Sequence, residues 1–245
     1  MNEEIAKHYK EMRIGVDEPF KFHCTLCGEC CIHREDILLN SKDLFRIAKK
    51  LEITPHEAAV KYCEAYIGHD SRLPIIRLNP QGTEHHCPLL KDCKCMVHDS
   101  KPAVCAMFPI GRYMESEATK QLAANLEDLK TGKTGYLYVN PECGDEAETH
   151  TVREWLNRFG IPLEDPYFVK WNQTIVELSS IIHDIEKKLR QELMSQIWTT
   201  AFMILYFDYD THKDFLPQFY SNTTKLMEMM RSLAETTGNE NRKEN

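Results

Sequence analysis

Cysteine is the residue type through which this chain could do chemistry, because ten cysteines occur and eight of them fall into two clusters. The first cluster has the pattern CxxCxxCC, at Cys24, Cys27, Cys30 and Cys31. Two residues between cysteines let a tight turn direct both sulfurs at one metal, and Gly28 supplies the backbone freedom that such turns often use. The spacing is typical of half a bacterial ferredoxin run, and a zinc site would accept it as well. We therefore predict metal binding here.

The adjacent pair Cys30-Cys31 adds a constraint to this prediction. Neighbouring side chains diverge in extended backbone, so we do not expect both thiolates to bind one small ion. Either the pair serves two metal centres, or one of its members has a structural role.

The second cluster begins at Cys87, which is followed by a proline, as is the remote ligand of ferredoxin clusters. Its other members are Cys93, Cys95 and Cys105, and Cys143 could complete a set from an expected turn after a strand. Inert thiols and a redox-sensing thiol pair are the competing interpretations. Metal binding is favoured over both, because a coincidental CxxCxxCC is rare among cytosolic chains.

The expected compartment and the net charge exclude several classes of protein. Residues 1–12 contain no apolar core, so we expect no signal peptide and a cytoplasmic location in which thiols stay reduced. The net charge is −8 without a strong basic block, so we expect neither nucleic acid nor a membrane as partner. The apolar stretch 197–207 is too short to span a bilayer. A protein partner or substrate is expected, of unknown identity.

The distribution of residue types predicts two domains. Every cysteine lies at or before Cys143, whereas the three tryptophans lie at 155, 171 and 198. We expect residues 1–148 to form a cysteine-cluster metal-binding domain and residues 149–245 to form a helical region. The expected fold class is α+β, with short strands and helices in the first domain followed by a helical C-terminal region.

Capping signals and strand composition predict the elements around the clusters. Thr54 and Glu57 have the spacing of a capping box, which predicts a helix that runs to about Ile67 and carries Cys63. Residues 73–78 have the composition of a strand.

The C-terminal part is predicted to be helical. A long helix is expected to begin at Asp165-Pro166, and Asn222 is expected to cap a last helix. The apolar stripe of the long helix recurs in steps of three and four, which is typical of a packing face. Its members are Phe168, Trp171, Ile175, Leu178, Ile182, Ile185 and Leu189.

The two clusters together resemble the YkgJ-type cysteine-cluster family, which is also described as a zinc- or iron-chelating domain. The resemblance covers about residues 20–147 and rests on FHCTLCGECC, followed by CPLL, CMVH and KPAVCAMFP. Some relatives are called flagellin lysine N-methylases, and for those an iron–sulfur cluster is implied. The resemblance implies eight metal ligands: Cys24, Cys27, Cys30, Cys31, Cys87, Cys95, Cys105 and Cys143.

The chain departs from the usual family pattern at three positions. It has Lys101-Pro102 where the family usually has Arg-Pro, His98 where it has Tyr, and Ala106 where it has Arg. A functional role of that last arginine therefore does not carry over. Cys63 and Cys93 fall outside the family set; we expect Cys63 to be a buried apolar residue, and Cys93 could be a spare ligand.

The spacing of the cysteines does not determine which metal is bound. Eight thiolates could hold two zinc ions, one [4Fe–4S] cluster with four structural cysteines, or one of each. The ferredoxin-like spacing and the resemblance favour [4Fe–4S]. His23, His85 and His86 adjoin the clusters and could ligate a metal or donate to a thiolate, although a solvated histidine is the commoner case.

These observations lead to two candidate functions of different classes. The first is a non-enzymatic metal-binding protein that holds an iron–sulfur cluster or zinc and acts in redox chemistry or sensing. The second, implied by the resemblance, is an S-adenosylmethionine-dependent lysine N-methylase that requires an iron–sulfur cluster. The sequence contains no GxGxxG, P-loop or HExxH pattern, and we assign no catalytic residue.

Because Cys63 lies outside both clusters, Cys63→Ala should keep the full metal content. It should lower the free energy of unfolding by about 1 kcal/mol through lost packing. Metal analysis and urea denaturation of the purified variant check both expectations. A metal-to-protein ratio below that of the wild type would show that Cys63 supplies a ligand.

Overall fold

The structure is a computed structural model that describes residues 3–32, 37–115, 129 and 133–243. In this part of the chain the fold is α+β with a helical C-terminal region, which confirms the predicted fold class. None of the helices within the described ranges is long and apolar enough to cross a membrane. The helices are α1 (Glu3–Glu11), α2 (Ser41–Lys50), α3 (Pro55–Tyr62), α4 (Ala103–Met107), α5 (Val152–Arg158), α6 (Pro166–Glu186), α7 (Gln191–Phe202) and α8 (Phe215–Lys243).

Short strands form small antiparallel sheets with the orders β1-β9-β8, β10-β2, β3-β5-β4 and β6-β7. The strands are β1 (Arg13–Ile14), β2 (Pro19–His23), β3 (Leu38–Leu39), β4 (Cys63–Ile67), β5 (Pro74–Leu78), β6 (Leu90–Lys91), β7 (Lys94–Cys95), β8 (Ile110–Met114), β9 (Thr134–Tyr138) and β10 (Asp145–Thr151).

Two compact units share the chain. The first comprises residues 1–37 and 79–172, and the second comprises residues 38–78 and 173–245. Cys63 therefore lies in the second unit, and the other nine cysteines lie in the first. The composition boundary near residue 148 marks where the cysteines end. It does not coincide with the division into units, because α5 packs into the core of the first.

An aromatic core organises the first unit. Trp155 of α5 is 3% exposed and packs edge-on against Phe20 and Phe22, whose ring centroids lie 6.0 and 5.5 Å away. Its indole Nε1 donates a hydrogen bond of 2.9 Å to the Met107 carbonyl. Phe20 and Phe22 are the buried residues of β2. This packing therefore positions the strand that leads directly into Cys24.

The second unit has its own core of helices and the sheet β3-β5-β4. Helix α2 begins at a capping box in which the Asp43 amide donates to the Asn40 side chain over 2.9 Å. Phe45 of α2 packs against Phe215, with ring centroids 5.1 Å apart, and Phe215 stacks on Tyr209 at 5.2 Å. The unit thus folds around buried apolar and aromatic side chains.

The helix predicted from Thr54 is shorter than expected. Its capping box is confirmed, because the Thr54 amide donates to Glu57 Oε2 over 2.7 Å and the Glu57 amide donates back to Thr54 Oγ1 over 3.2 Å. Helix α3 ends at Tyr62, however, and residues 63–67 form β4, which pairs with β5. The prediction that Cys63 lies on the helix is therefore wrong: pairing with a neighbouring strand overrides the local helical pattern. Cys63 is half-buried.

The long C-terminal helices follow the prediction in part. Helix α6 begins at Pro166, and the stripe members Leu178, Ile182 and Ile185 are fully buried, as the periodicity predicts. Asn222 does not cap a helix, because α8 already begins at Phe215. Its side-chain amide instead donates to the Asp208 carbonyl over 2.7 Å. A tertiary hydrogen bond thus uses the residue that local sequence marks as a cap.

Replacing Trp155 by Phe tests the buried indole hydrogen bond. The Met107 carbonyl would lose its donor, so we expect the free energy of unfolding to fall by about 1–3 kcal/mol. Urea denaturation followed by circular dichroism measures this. Trp198→Phe is the comparison variant, because the Trp198 indole donates to the Arg72 carbonyl at a part-buried position in the second unit. It should lose less unfolding free energy, since water can reach the carbonyl there. Unfolding of Trp155→Phe at the wild-type urea midpoint would contradict the expectation.

Candidate metal centre

The first cysteine cluster folds as a tight turn. Residues 29–31 form one turn of 3₁₀ helix, in which the Cys31 amide donates to the Gly28 carbonyl over 2.8 Å. Gly28 has a φ of 81°, in the left-handed region that favours glycine. The predicted role of Gly28 in the turn is confirmed. Cys24, Cys27 and Cys30 are exposed.

The pair Cys30-Cys31 differs from the sequence expectation. The two residues lie in a 3₁₀ turn rather than in extended backbone, and the Cys31 thiol hydrogen-bonds to Cys30. The hydrogen bond holds the two thiols close together, whereas extended backbone would separate them. Two metal centres that each used one thiol of this pair would have to be close neighbours.

The second cluster meets the first through the backbone. The Cys87 amide donates to the Cys31 carbonyl over 2.8 Å. Cys95 faces Leu90 across the hairpin of β6 and β7. The hairpin turns at Asp92 and Cys93, which have φ values of 49° and 57°. Positive φ at both central residues is typical of the two-residue turns that match strand twist. Cys93 lies exposed in this turn.

Cys143 is positioned by the sheet of β2 and β10. Asp145 pairs with His23 in this sheet, which brings the residues before β10 beside the residues after β2. The Cys143 thiol hydrogen-bonds to Cys27. Gly144 has a φ of 76°, and a Cβ at this position would lie 2.5 Å from the His23 carbonyl oxygen. Only glycine fits this close approach, so Gly144 determines how Cys143 reaches the first cluster.

Backbone amides donate to the sulfurs of three cysteines from the residue two positions later. Cys27 accepts from Glu29, Cys87 from Leu89, and Cys95 from Val97. The backbone of Gly144 donates to Cys27 as well. Hydrogen bonds from N–H groups stabilise the thiolate, which is the form of cysteine that binds metal. The turns that hold these cysteines therefore favour the ligand form.

The thiols shift one another's pKa values. Hydrogen bonding to Glu29 lowers the pKa of Cys27. The pKa of Cys31 is raised by its hydrogen bond to Cys30, by burial, and by the charges of Cys30, Cys87 and Cys105.

Burial is the main cause for the other three shifted thiols. It raises the pKa values of Cys87 and Cys95, to which the charge of Cys30 adds, and raises that of Cys143 to about 11. The charges of Cys30, Cys27 and Cys24 act on Cys143 as well. Without a cation most of these thiols stay protonated, and a bound metal ion would reverse this.

Hydrogen bonds and the charge effects of one thiol on another link all eight sequence-predicted ligands. We call this set the eight-thiol cluster: Cys24, Cys27, Cys30, Cys31, Cys87, Cys95, Cys105 and Cys143. Cys63 lies in the other unit. Among the described residues, no three His, Cys, Asp or Glu side chains are already arranged as a metal-binding group. The cluster is thus an assembly of neighbouring thiols, and the assignment of its members as ligands stays a prediction.

Two basic side chains lie beside the cluster. His23 Nδ1 lies 3.1 Å from Asp145 Oδ1, so its imidazole faces a carboxylate rather than the thiols. Burial raises the pKa of Cys95, and the charge of Lys101 offsets part of that rise. Sequence reasoning did not single out the electrostatic role of Lys101.

His85 and His86 precede Cys87 in a turn closed by backbone hydrogen bonds. The Gln81 amide donates to the His86 carbonyl over 2.8 Å, and the His86 amide donates to the Gln81 carbonyl over 3.0 Å. Both histidines are outside the eight-thiol cluster, and their role as ligands stays a prediction.

Comparison with known proteins supports the prediction that the cysteines bind metal. Residues 23–143 match the CxxCxxCC family, described as a "putative zinc- or iron-chelating domain". The matched segment contains all eight predicted ligands. No curated protein and no solved structure matches the chain.

Gly144→Ala tests the close approach between β10 and β2. Gly160→Ala is the matched control, because Gly160 has a φ of 62° but no atom within 4 Å of its added Cβ. The control should lose about 1 kcal/mol of unfolding free energy from its φ alone. Gly144→Ala should lose at least about 2 kcal/mol and bind less metal, because Cys143 shifts. Urea denaturation and metal analysis measure both effects, and equal losses in the two variants would contradict the steric argument.

Proposed function

We propose that residues 23–143 chelate metal through the eight-thiol cluster, with an iron–sulfur cluster as the favoured group and zinc as the alternative. The observation that carries the proposal is the convergence of cysteines from residues 24–31, 87–105 and 143 in one unit. The donor set fits both groups, because thiolate ligands suit zinc and iron–sulfur clusters alike.

Two observations support iron–sulfur over a purely structural zinc site. The CxxCxxC spacing at Cys24, Cys27 and Cys30 is that of a ferredoxin run. These three cysteines are exposed, so a group held there would be accessible to an electron-transfer partner or an oxidant. N–H groups that donate to cysteine sulfurs also tune the reduction potential of such clusters. Electron transfer or redox sensing is the role that this arrangement supports best.

The partner in this role is proposed to be another protein. The net charge of −8 disfavours nucleic acid and anionic membranes as binding partners. A cytoplasmic location is part of the proposal, because a reducing compartment keeps ten cysteines available to metal. The lysine N-methylase alternative rests on the family resemblance alone and stays a prediction.

Protein produced with adequate iron and purified without oxygen tests the iron–sulfur assignment. It should be brown, contain iron and acid-labile sulfide, and lose colour with dithionite. Adequate iron is essential, because thiolate sites accept zinc when iron is scarce. Colourless protein that contains zinc without sulfide would contradict the iron–sulfur assignment. The protein would then hold zinc in a closed, structural site.

The variant Cys27→Ser tests metal binding itself, whichever metal is bound. The variant removes a thiolate that accepts two backbone hydrogen bonds, so both the metal content and the melting temperature should fall, since binding energy is also folding energy. Cys63→Ser is the control and should keep the wild-type metal content, because Cys63 lies in the other unit. Wild-type metal content and melting temperature in Cys27→Ser would contradict the proposal.

A further inference from the structure

The sheet of the second unit has an exposed edge along β4. The order β3-β5-β4 places β4 at the edge, and its five residues contain no proline or lysine and pair with β5 without a bulge. Ala65 and Tyr66 are exposed, Tyr66 by 42%. Proteins usually protect an edge with a very short strand, a lysine, a proline or a bulge. A regular, exposed edge strand of this length is therefore a site where another strand can pair.

The ladder between β4 and β5 determines which backbone groups of β4 face outward. The Gly68 amide, just after β4, donates to the Leu73 carbonyl over 2.9 Å, so these two residues form a hydrogen-bonded pair. Hydrogen-bonded and non-hydrogen-bonded pairs alternate along an antiparallel ladder. Counting back from Gly68 in the register of β4 with β5, the amides and carbonyls of Ala65 and Ile67 point away from β5.

Two further observations agree with this orientation. Ile67 pairs with Pro74, which has no amide proton, as suits a non-hydrogen-bonded pair. The amide of Cys63, two residues before Ala65, donates to the Ala59 carbonyl of α3 instead of to β5. In the described part of the chain, Ala65 and Ile67 have no backbone hydrogen bond outside the β4–β5 ladder. Only another extended backbone offers donors and acceptors at the spacing that these two residues require.

A second copy of the same strand fits this edge, because β4 is complementary to itself when Ala65 lies on a two-fold axis. This antiparallel register pairs all five residues, with Glu64 opposite Tyr66 and Cys63 opposite Ile67 of the other copy. A shift of two residues in either direction pairs only three of the five. One of these shifts also sets Glu64 against Glu64, where like charges repel. The register centred on Ala65 is therefore the favoured one.

The core-facing side of the sheet supports this pairing. Ile76 of β5 is fully buried, and the residue opposite it on β4 is Ala65. Side chains two residues apart share a face, so β4 contributes Cys63, Ala65 and Ile67 to this side. Cys63 and Ile67 are only half-buried in one copy. Two paired copies would continue one apolar layer across the axis and cover both side chains.

The opposite face of the sheet accepts the same pairing. Glu64 forms an ion pair with Arg77 of β5, so its charge is already balanced within one copy. The guanidinium of Arg77 also lies over the Tyr66 ring, with 5.8 Å between the guanidinium carbon and the ring centroid. Tyr66 of the other copy would lie beside Glu64, and no unbalanced charge would meet another across the axis.

We propose that two copies of the chain associate through β4, in an antiparallel pairing centred on Ala65 that joins two three-stranded sheets into one sheet of six strands. The two Ala65 residues bond each other across the axis, and each Ile67 amide faces the Cys63 carbonyl of the other copy. Such a two-fold contact is closed, so association stops at a dimer. Five strand residues a side are few beside the roughly 20–30 of a stable interface, so the dimer depends on protein concentration.

Sedimentation velocity of the full-length chain, kept anaerobic and reduced so that cysteines do not cross-link, tests this proposal. The wild type should shift from monomer to dimer as its concentration rises from low micromolar to several hundred micromolar. Ala65→Pro should stay monomeric, because it removes the outward amide but no bond to β5. Ala65→Lys should stay monomeric because two like charges would meet on the axis. Ala65→Ser is the matched control, which keeps the amide and a small side chain and should dimerise like the wild type.

Hydrogen exchange gives an independent measurement of the same contact. The amides of Ala65 and Ile67 should become protected as the concentration of the wild type rises, because they gain acceptors in the dimer. Exchange at these amides that does not change while a dimer forms would overturn the proposal.

The remaining outcomes are equally decisive. A wild type that stays monomeric at the highest concentration overturns the proposal and leaves the edge to an extended segment of another protein. Dimers of wild-type strength in both Ala65→Pro and Ala65→Lys would mean that another surface carries the contact, which overturns it as well. Circular dichroism checks that each variant is folded. If Ala65→Pro does not fold, the contrast between Ala65→Lys and Ala65→Ser decides.

Discussion

The crowding of thiols is the constraint on which the first unit depends. Burial raises the pKa values of Cys87, Cys95 and Cys143, and a hydrogen bond to Cys30 together with burial raises that of Cys31; the charges of neighbouring thiolates raise all four further through mutual repulsion. A cation removes the repulsion and makes the same crowding favourable. Backbone amides aimed at three of the sulfurs act in the same direction, although each hydrogen bond contributes less than a metal ion would.

The scaffold around these thiols is built from aromatic packing and tight backbone contacts. Trp155 holds β2 through Phe20 and Phe22, and β2 pairs with β10 beside Cys143. Gly144 allows the two strands to approach closely where a side chain would collide with the His23 carbonyl. Metal binding and the core of the first unit are therefore coupled, because the same strands serve both.

The second unit contains one cysteine and folds around its own apolar core. Its buried aromatic residues, such as Phe45 and Phe215, pack against each other. The two units therefore differ in the interactions that stabilise them. One unit has enough apolar surface to bury, whereas the other combines a smaller core with thiols suited to metal.

The sequence by itself determined the ligand candidates, the α+β class, the capping boxes and the buried stripe of α6, because these depend on residue type and local spacing. Only the tertiary structure decided that Cys63 lies in a strand of the other unit, that Cys143 reaches Cys27, and that Asn222 bonds to Asp208 instead of capping a helix. It also decided the importance of Gly144, whose close neighbour His23 lies more than a hundred residues earlier in the chain. Strand pairing and long-range backbone contacts depend on which segments meet in space, and local patterns carry no information about that.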